Sequence, residues 1–214
     1  MTAERAWRLL GALGMILGLA SLVAATVIQW LIQPTDPSGT PVDVARENPA
    51  IWLLVGLLSV LGPLFWVAGI FAVTSRVTGR GWVLTTIGGS VTALGLISGV
   101  GHLALFFGLA SDTAGAGVDS GTALSLLRAD DAGAISNLLL YGFLVGFSLG
   151  PILLTIGLRL AKQVPVWVPV AAIVMVVANF VGGVPAGAVQ LLAALLAFLP
   201  MVLVLMRREP ARPV

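Results

Sequence analysis

Residues 166–206 read VWVPVAAIVMVVANFVGGVPAGAVQLLAALLAFLPMVLVLM, and no side chain in that stretch is charged. The run Gly182-Gly183-Val184-Pro185-Ala186-Gly187 is built from turn-forming residues. It divides the stretch into two apolar segments, 166–184 and 188–206. Each is close to the roughly 20 residues that a helix needs to cross a hydrocarbon core about 30 Å thick. Barrel strands would alternate polar and apolar side chains over about ten residues, whereas these runs are continuous. Helices satisfy their backbone groups internally in lipid, so the stretch predicts an antiparallel pair of membrane-spanning helices.

Working outward, the same pattern recurs at 9–32, 51–73, 82–109 and 135–158. The expected fold is an all-α membrane protein, a single bundle of six transmembrane helices occupying 1–214. Composition agrees: 58% of the 214 residues are hydrophobic and 9% are charged, against about 25% charged in a soluble domain. The mean hydropathy is +1.07. The absence of cysteine excludes disulfides, thiolate catalysis and cysteine-ligated metals. Arginine supplies ten of the eleven basic residues, and Ala, Val, Gly and Leu dominate. That bias suggests a GC-rich bacterial genome and hence a multi-pass protein of the inner (plasma) membrane.

Basic residues beside the spans set the expected orientation. Arg5, Arg8, Arg76, Arg80, Arg159, Lys162, Arg207, Arg208 and Arg212 share one face if there are six crossings, and only Arg46 and Arg128 fall on the other. The predicted topology therefore has both termini in the cytoplasm. Asp36, Asp43, Glu47, Asp112, Asp119, Asp130 and Asp131 gather on the outer face. Trp7, Trp82 and Trp167 mark cytoplasmic span ends, and Trp30 and Trp52 outer ones, where indoles favour the headgroup level. Trp66 falls near mid-span and is expected to pack internally. Residues 23–25 (Val-Ala-Ala) resemble a signal-peptide cleavage site, but the apolar run continues through Trp30 and Leu31, so a retained anchor is expected.

The outer loops carry most of the hydrophilic sequence. Pro34, Pro37, Pro41 and Pro49 make 33–49 turn-rich, with 42–48 a candidate short helix lying on the membrane. Within 111–133, residues 122–127 form a candidate amphipathic helix with Ser120 as its cap. Solvated acids, including Asp130-Asp131, explain this face better than calcium binding, which takes six to eight ordered oxygens.

Several short pieces resemble a group of uncharacterised six-helix membrane proteins common in actinobacteria. They are Asp36-Pro37, Asn48-Pro49-Ala50-Ile51-Trp52, Gly157-Leu158-Arg159-Leu160 and Val164-Pro165-Val166-Trp167. The resemblance implies the six-helix architecture and no activity.

Small residues at four-residue spacing are the first candidate functional feature: Gly14 and Gly18, Gly95 and Gly99, and Gly142, Gly146 and Gly150. Without side chains they let helices approach closely where lipid offers no hydrophobic drive. Packing inside the bundle is favoured over a homodimer seam. Pro63, Pro151, Pro169 and Pro200 are expected to kink or locally open their helices.

The second feature is polar. His102, the one histidine, falls toward the outer end of its span. Asn137 and Tyr141 share a helix face, and Asn179, Gln190 and Gln29 also belong to the outer third of the membrane. They define a candidate outward-facing polar pocket, although simple proximity to water is the favoured explanation. A zinc site or bis-histidine haem lacks ligands, so no metal and no cofactor is expected. With no nucleophile or intramembrane acid–base pair, catalysis is not expected, nor is nucleic-acid binding. The leading expectation is a structural or accessory subunit acting through helix contacts, with lipid, other membrane proteins or a second copy as partners. The alternative is a transporter or binding protein for a small molecule or lipid.

Overall fold

The computed structural model describes residues 3–32 and 39–207. Pro34, Asp36, Pro37, Arg208 and Arg212, used above, lie outside the described residues. Within them the chain forms eight α-helices and no strand: α1 (Ala3–Leu31), α2 (Pro41–Glu47), α3 (Pro49–Thr74), α4 (Trp82–Gly115), α5 (Ser120–Asp131), α6 (Ala134–Leu160), α7 (Trp167–Val181) and α8 (Gly183–Met206). Five of these (α1, α3, α4, α6 and α8) are long and apolar enough to cross a membrane, and α7 is a shorter apolar helix.

The six apolar helices close into a ring. α4 packs most extensively on α6 and α1 on α3; the contacts α3–α4, α6–α7, α7–α8 and α8–α1 complete the circuit, and α3 also touches α8. At the centre Trp66 meets Phe198 (ring centroids 4.6 Å, interplanar angle 76°) and Phe147 (5.7 Å, 75°), edge-to-face geometries that the ring quadrupoles favour. Met15, Leu19, Ile70, Leu154, Leu158, Met175, Met201 and Leu205 fill the rest of this core. The outside of the ring is equally apolar: Leu13, Leu53, Leu94, Leu138, Val177 and Leu192 stand exposed, one from each helix. A soluble monomer rarely exposes apolar patches beyond a few hundred Å2. The surface suits lipid, and the fold is that of a multi-pass helical membrane protein.

Polar groups inside the bundle are satisfied locally. The buried hydroxyls of Thr92 and Thr155 donate to Gly88 O and Pro151 O, both at 2.7 Å, and Thr85 to Gly81 O at 2.9 Å. Such i−4 bonds let a threonine enter an apolar interior without an orphan donor. At the basic end, Arg8 donates to Leu205 O at 2.8 Å and to the Arg207 carbonyl, Arg207 to Gln163 O, and Arg76 pairs with Glu4 at 3.3 Å. Cations here meet the exposed carbonyls of helix C-termini, which carry partial negative charge.

Several boundaries differ from those expected. α4 is 34 residues long, about 50 Å, so it overshoots a bilayer core and continues to Gly115. The turn between the last two helices is not a six-residue loop. Gly182 (φ +72°) and Gly183 (φ +79°) take backbone angles that side chains disfavour, reversing the chain in so little space that α8 begins at Gly183. Pro169 is in the first turn of α7, where a missing N–H costs nothing, so it is not a kink; Pro63, Pro151 and Pro200 are inside helices.

The outer segments fold as well. α2 starts with a capping box: Thr40 Oγ1 accepts from Asp43 N, and Asp43 Oδ2 accepts from Thr40 N at 2.9 Å. α5 runs well beyond the expected 122–127, and its cap is Asp119, whose carboxylate accepts from Thr122 N at 3.0 Å. The hydroxyl of Ser120, the expected cap, instead donates to Asp43 Oδ1 at 2.6 Å and ties α5 to α2. α2 packs on the ring: Val42, Val44 and Ala45 are buried with Trp52, Val55, Phe107, Ala110, Ala123 and Leu127 in a second core. Trp52 is accordingly a buried core residue whose Nε1 donates to Phe107 O at 3.3 Å.

Candidate functional site

Inside the half of the ring away from the basic end lies a cavity of about 310 Å3 to which all six apolar helices contribute. Helix α1 supplies Gly18, Leu22, Thr26 and Gln29; α3 supplies Leu58, Ser59, Pro63 and Trp66; Leu96, Gly99 and Leu103 come from α4, and Phe143 and Phe147 from α6. Asn179 of α7 and Gln190 of α8 complete the wall. At about 1.5 Å per helical residue, Gln29 and Gly18 are about 16 Å apart along α1. The cavity thus reaches from a carboxamide-lined mouth to an aromatic floor at Trp66.

At the mouth, Gln190 Nε2 donates to Asn179 Oδ1 at 2.9 Å, linking α7 and α8 across their tight turn. That bond occupies one donor and one acceptor and leaves each amide with hydrogen-bonding capacity to spare. No ionisable side chain is among the lining residues. Apart from Thr26 and Ser59 the walls between mouth and floor are aliphatic or aromatic, and Phe143 stacks on Phe147 at 5.5 Å.

The floor is set by α3. Pro63 has no N–H, so the carbonyl of Ser59, four residues earlier, has no i+4 helical donor. Both residues line the cavity, and Ser59 is 9% exposed. Trp66 lines it too, is 1% exposed, and its Nε1 has no hydrogen-bond partner among the described residues. Sequence reasoning missed this group, having read Pro63 as a kink and Trp66 as packing. The legible signal was the spacing Ser59-x-x-x-Pro63-x-x-Trp66, a proline in mid-span flanked by two polar-capable residues on one helix.

Of the residues expected to form an outer pocket, Asn179, Gln190 and Gln29 are brought together on this wall. The other three are elsewhere. Asn137 Nδ2 donates to Asp131 O at 2.9 Å and Gly133 O at 3.1 Å, so its amide fastens the end of α5 to the start of α6. Tyr141 is 61% exposed on the outside of α6. His102 is half-buried on α4, away from the lining, with Nδ1 buried and without a partner among the described residues. Helical register accounts for the split: depth along a helix is readable from sequence, but which side faces the ring centre depends on packing.

The glycines face neighbouring helices of the same chain. A Cβ at Gly95 would stand 2.6 Å from the carbonyl carbon of Gly146, one at Gly99 2.6 Å from Phe143 Cδ2, and one at Gly142 2.8 Å from Ser98 Oγ. Gly150 abuts Thr92, Gly14 abuts Phe65, and at Gly18 a Cβ would be 2.6 Å from that of Trp66. Gly88 and Gly157 extend the α4–α6 seam toward the basic end, against Leu154 and Thr85.

Outside the ring, Asp43 is the hub of the cap. It accepts from Ser120 and Thr40 and lies 3.6 Å from Arg46, whose other nitrogen donates to Val118 O at 2.6 Å. The Ser120 and Thr40 hydrogen bonds, with a smaller contribution from Arg46, hold its carboxyl at a pKa of about 2. The Thr122 hydrogen bonds lower that of Asp119. No group of three or more His, Cys, Asp or Glu among the described residues could hold a metal.

These features define an all-helical, multi-pass membrane protein with a central cavity and a folded cap. No family model, curated protein or solved structure matches the chain.

Proposed function

We propose that this protein crosses the bacterial inner membrane six times with both termini in the cytoplasm, and that it binds a small uncharged molecule or lipid entering from the outer side. It does so without catalysing a reaction. The observation that carries the proposal is the central cavity, to which all six apolar helices contribute and which has carboxamides at its mouth. A volume of about 310 Å3 is at the lower end of small-molecule sites. A lining without ionisable groups favours a neutral occupant, since a charge there would be desolvated without a partner.

The accessory-subunit reading loses its main support, because the glycines that motivated it are occupied by contacts within the chain. Six crossings require α7 to span. Its 15 residues cover about 22 Å, and the turn residues 163–166 lead into it from the end of α6. Arg207 bonded to Gln163 at one end, and Gly187 against Trp30 at the other, are consistent with that path. Kinship with the actinobacterial six-helix group belongs to the same proposal and is supported by the short motifs quoted above.

The chain has no cysteine, so single cysteines report topology cleanly. Ser125→Cys should react with an impermeant maleimide in intact cells, and Arg80→Cys only after permeabilisation. Labelling of both from outside would overturn the topology. Absence of saturable binding of any neutral amphiphile to the purified chain would overturn the binding function.

A further inference from the structure

Two groups of opposite hydrogen-bonding sense belong to residues that line the cavity floor. Pro63 removes the helical i+4 donor to the Ser59 carbonyl, and the Trp66 indole N–H is a buried donor with no partner among the described residues. A buried polar group without a hydrogen bond costs about 1–3 kcal/mol. The two residues are on one helix, seven positions and so about two turns apart, and share one face of it. The Trp66 side chain leans toward the N-terminus of α3, as helical side chains do, and thus toward Ser59.

We propose that the occupant is a neutral lipid alcohol, bound with its hydroxyl at the floor and its hydrocarbon chain along Leu22, Leu58, Leu103 and Phe143 toward the mouth. This deepens, and rests on, the proposed binding function. A hydroxyl is the smallest uncharged group that serves both partners, donating to Ser59 O while accepting from Trp66 Nε1. A ketone or ether oxygen could only accept, and a hydrocarbon would leave both groups bare. An ammonium or carboxylate would add an unpaired charge to a site that offers none in return.

The test uses the full chain in lipid nanodiscs and three probes of equal heavy-atom number: 1-octanol, heptyl methyl ether and nonane. Tritiated 1-octanol is bound and competed by the other two, with Trp66→Phe and Pro63→Ala as variants. Trp66→Phe keeps the ring and removes the N–H. Pro63→Ala restores a backbone donor to Ser59 O, and alanine favours the helix, so folding is not at risk. Wild type should prefer octanol over nonane by about tenfold or more, with the ether between them. In Trp66→Phe the ether should fall to the level of nonane. In Pro63→Ala octanol should fall to the level of the ether while the ether keeps its advantage over nonane. Equal binding of all three probes to wild type would overturn the hydroxyl assignment and leave the cavity as a binding site. A preference for octanol unchanged in both variants would also overturn it, placing the hydroxyl at the mouth. Saturable binding of none would overturn this inference and the binding function together.

Discussion

Adding one methyl group at Gly95 should weaken this protein, and adding the same group at Gly108 should not. In a helix interior, glycine to alanine gains about 0.5–1 kcal/mol from backbone entropy. At Gly108 nothing is within 4 Å of the new carbon, so that gain should appear in full. At Gly95 the new Cβ would be 2.6 Å from C and 2.7 Å from Cα of Gly146, and 2.7 Å from N of Phe147. Carbon atoms rest at about 3.5–4.0 Å, and the obstructing atoms are all backbone, so no side chain can swing away. The helices must separate by about 1 Å across their most extensive interface. Overpacking of this kind costs about 1–3 kcal/mol, which outweighs the entropy gain. We expect Gly95→Ala to be less stable by about 1–2 kcal/mol and Gly108→Ala to be slightly more stable. Reversible unfolding of the purified protein by SDS in mixed micelles, followed by far-UV circular dichroism, measures both, with size-exclusion chromatography run in parallel. Equal stabilities would refute the close α4–α6 contact. Dissociation of a dimer by Gly95→Ala with no change in unfolding would restore the homodimer seam.

The cap offers further tests. Replacing Asp43 with Ala removes half of the capping box and the Ser120 link, and should cost about 1–2 kcal/mol of local stability; amide hydrogen exchange across α2 and α5 should accelerate while the ring helices keep their protection. Asp43 has a folded-state pKa of about 2, below the ordinary 3.8. Its stabilising contribution is therefore complete above about pH 4 and is lost as pH falls toward 2. Exchange in the cap of the wild type should rise over that window, and in Asp43→Asn it should be high already at neutral pH; a flat wild-type profile would refute the role of the carboxylate. Trp52→Phe keeps the ring but removes the donor to Phe107 O, and should cost about 1 kcal/mol, read as faster exchange at the start of α3.

The apolar helices were legible because lipid as solvent imposes a coarse demand: every backbone group paired internally and an oily surface over about 20 residues. The runs at 51–73 and 135–158 therefore predicted α3 and α6 to within a few residues. The cap was legible only in outline. Pro41 and Asp43 mark a helix start in any sequence, but nothing local says that Ser120 will leave its own helix to bond Asp43. The candidate pocket was legible by depth and not by direction. Gln29, Asn179 and Gln190 proved to share a wall, while Tyr141 faces outward and Asn137 holds a loop.

By itself the sequence determined the helical class, the apolar surface and the segregation of arginine, because hydrophobicity and charge are properties of a residue and its immediate neighbours. Only the tertiary structure decided which glycines meet backbone, that Trp52 is buried, and that Ser59, Pro63 and Trp66 share a cavity with residues from five other helices. Those outcomes depend on the rotation of each helix about its own axis. Rotation is set by packing against neighbours distant in the chain, and in a helix apolar on every side the sequence carries little trace of it.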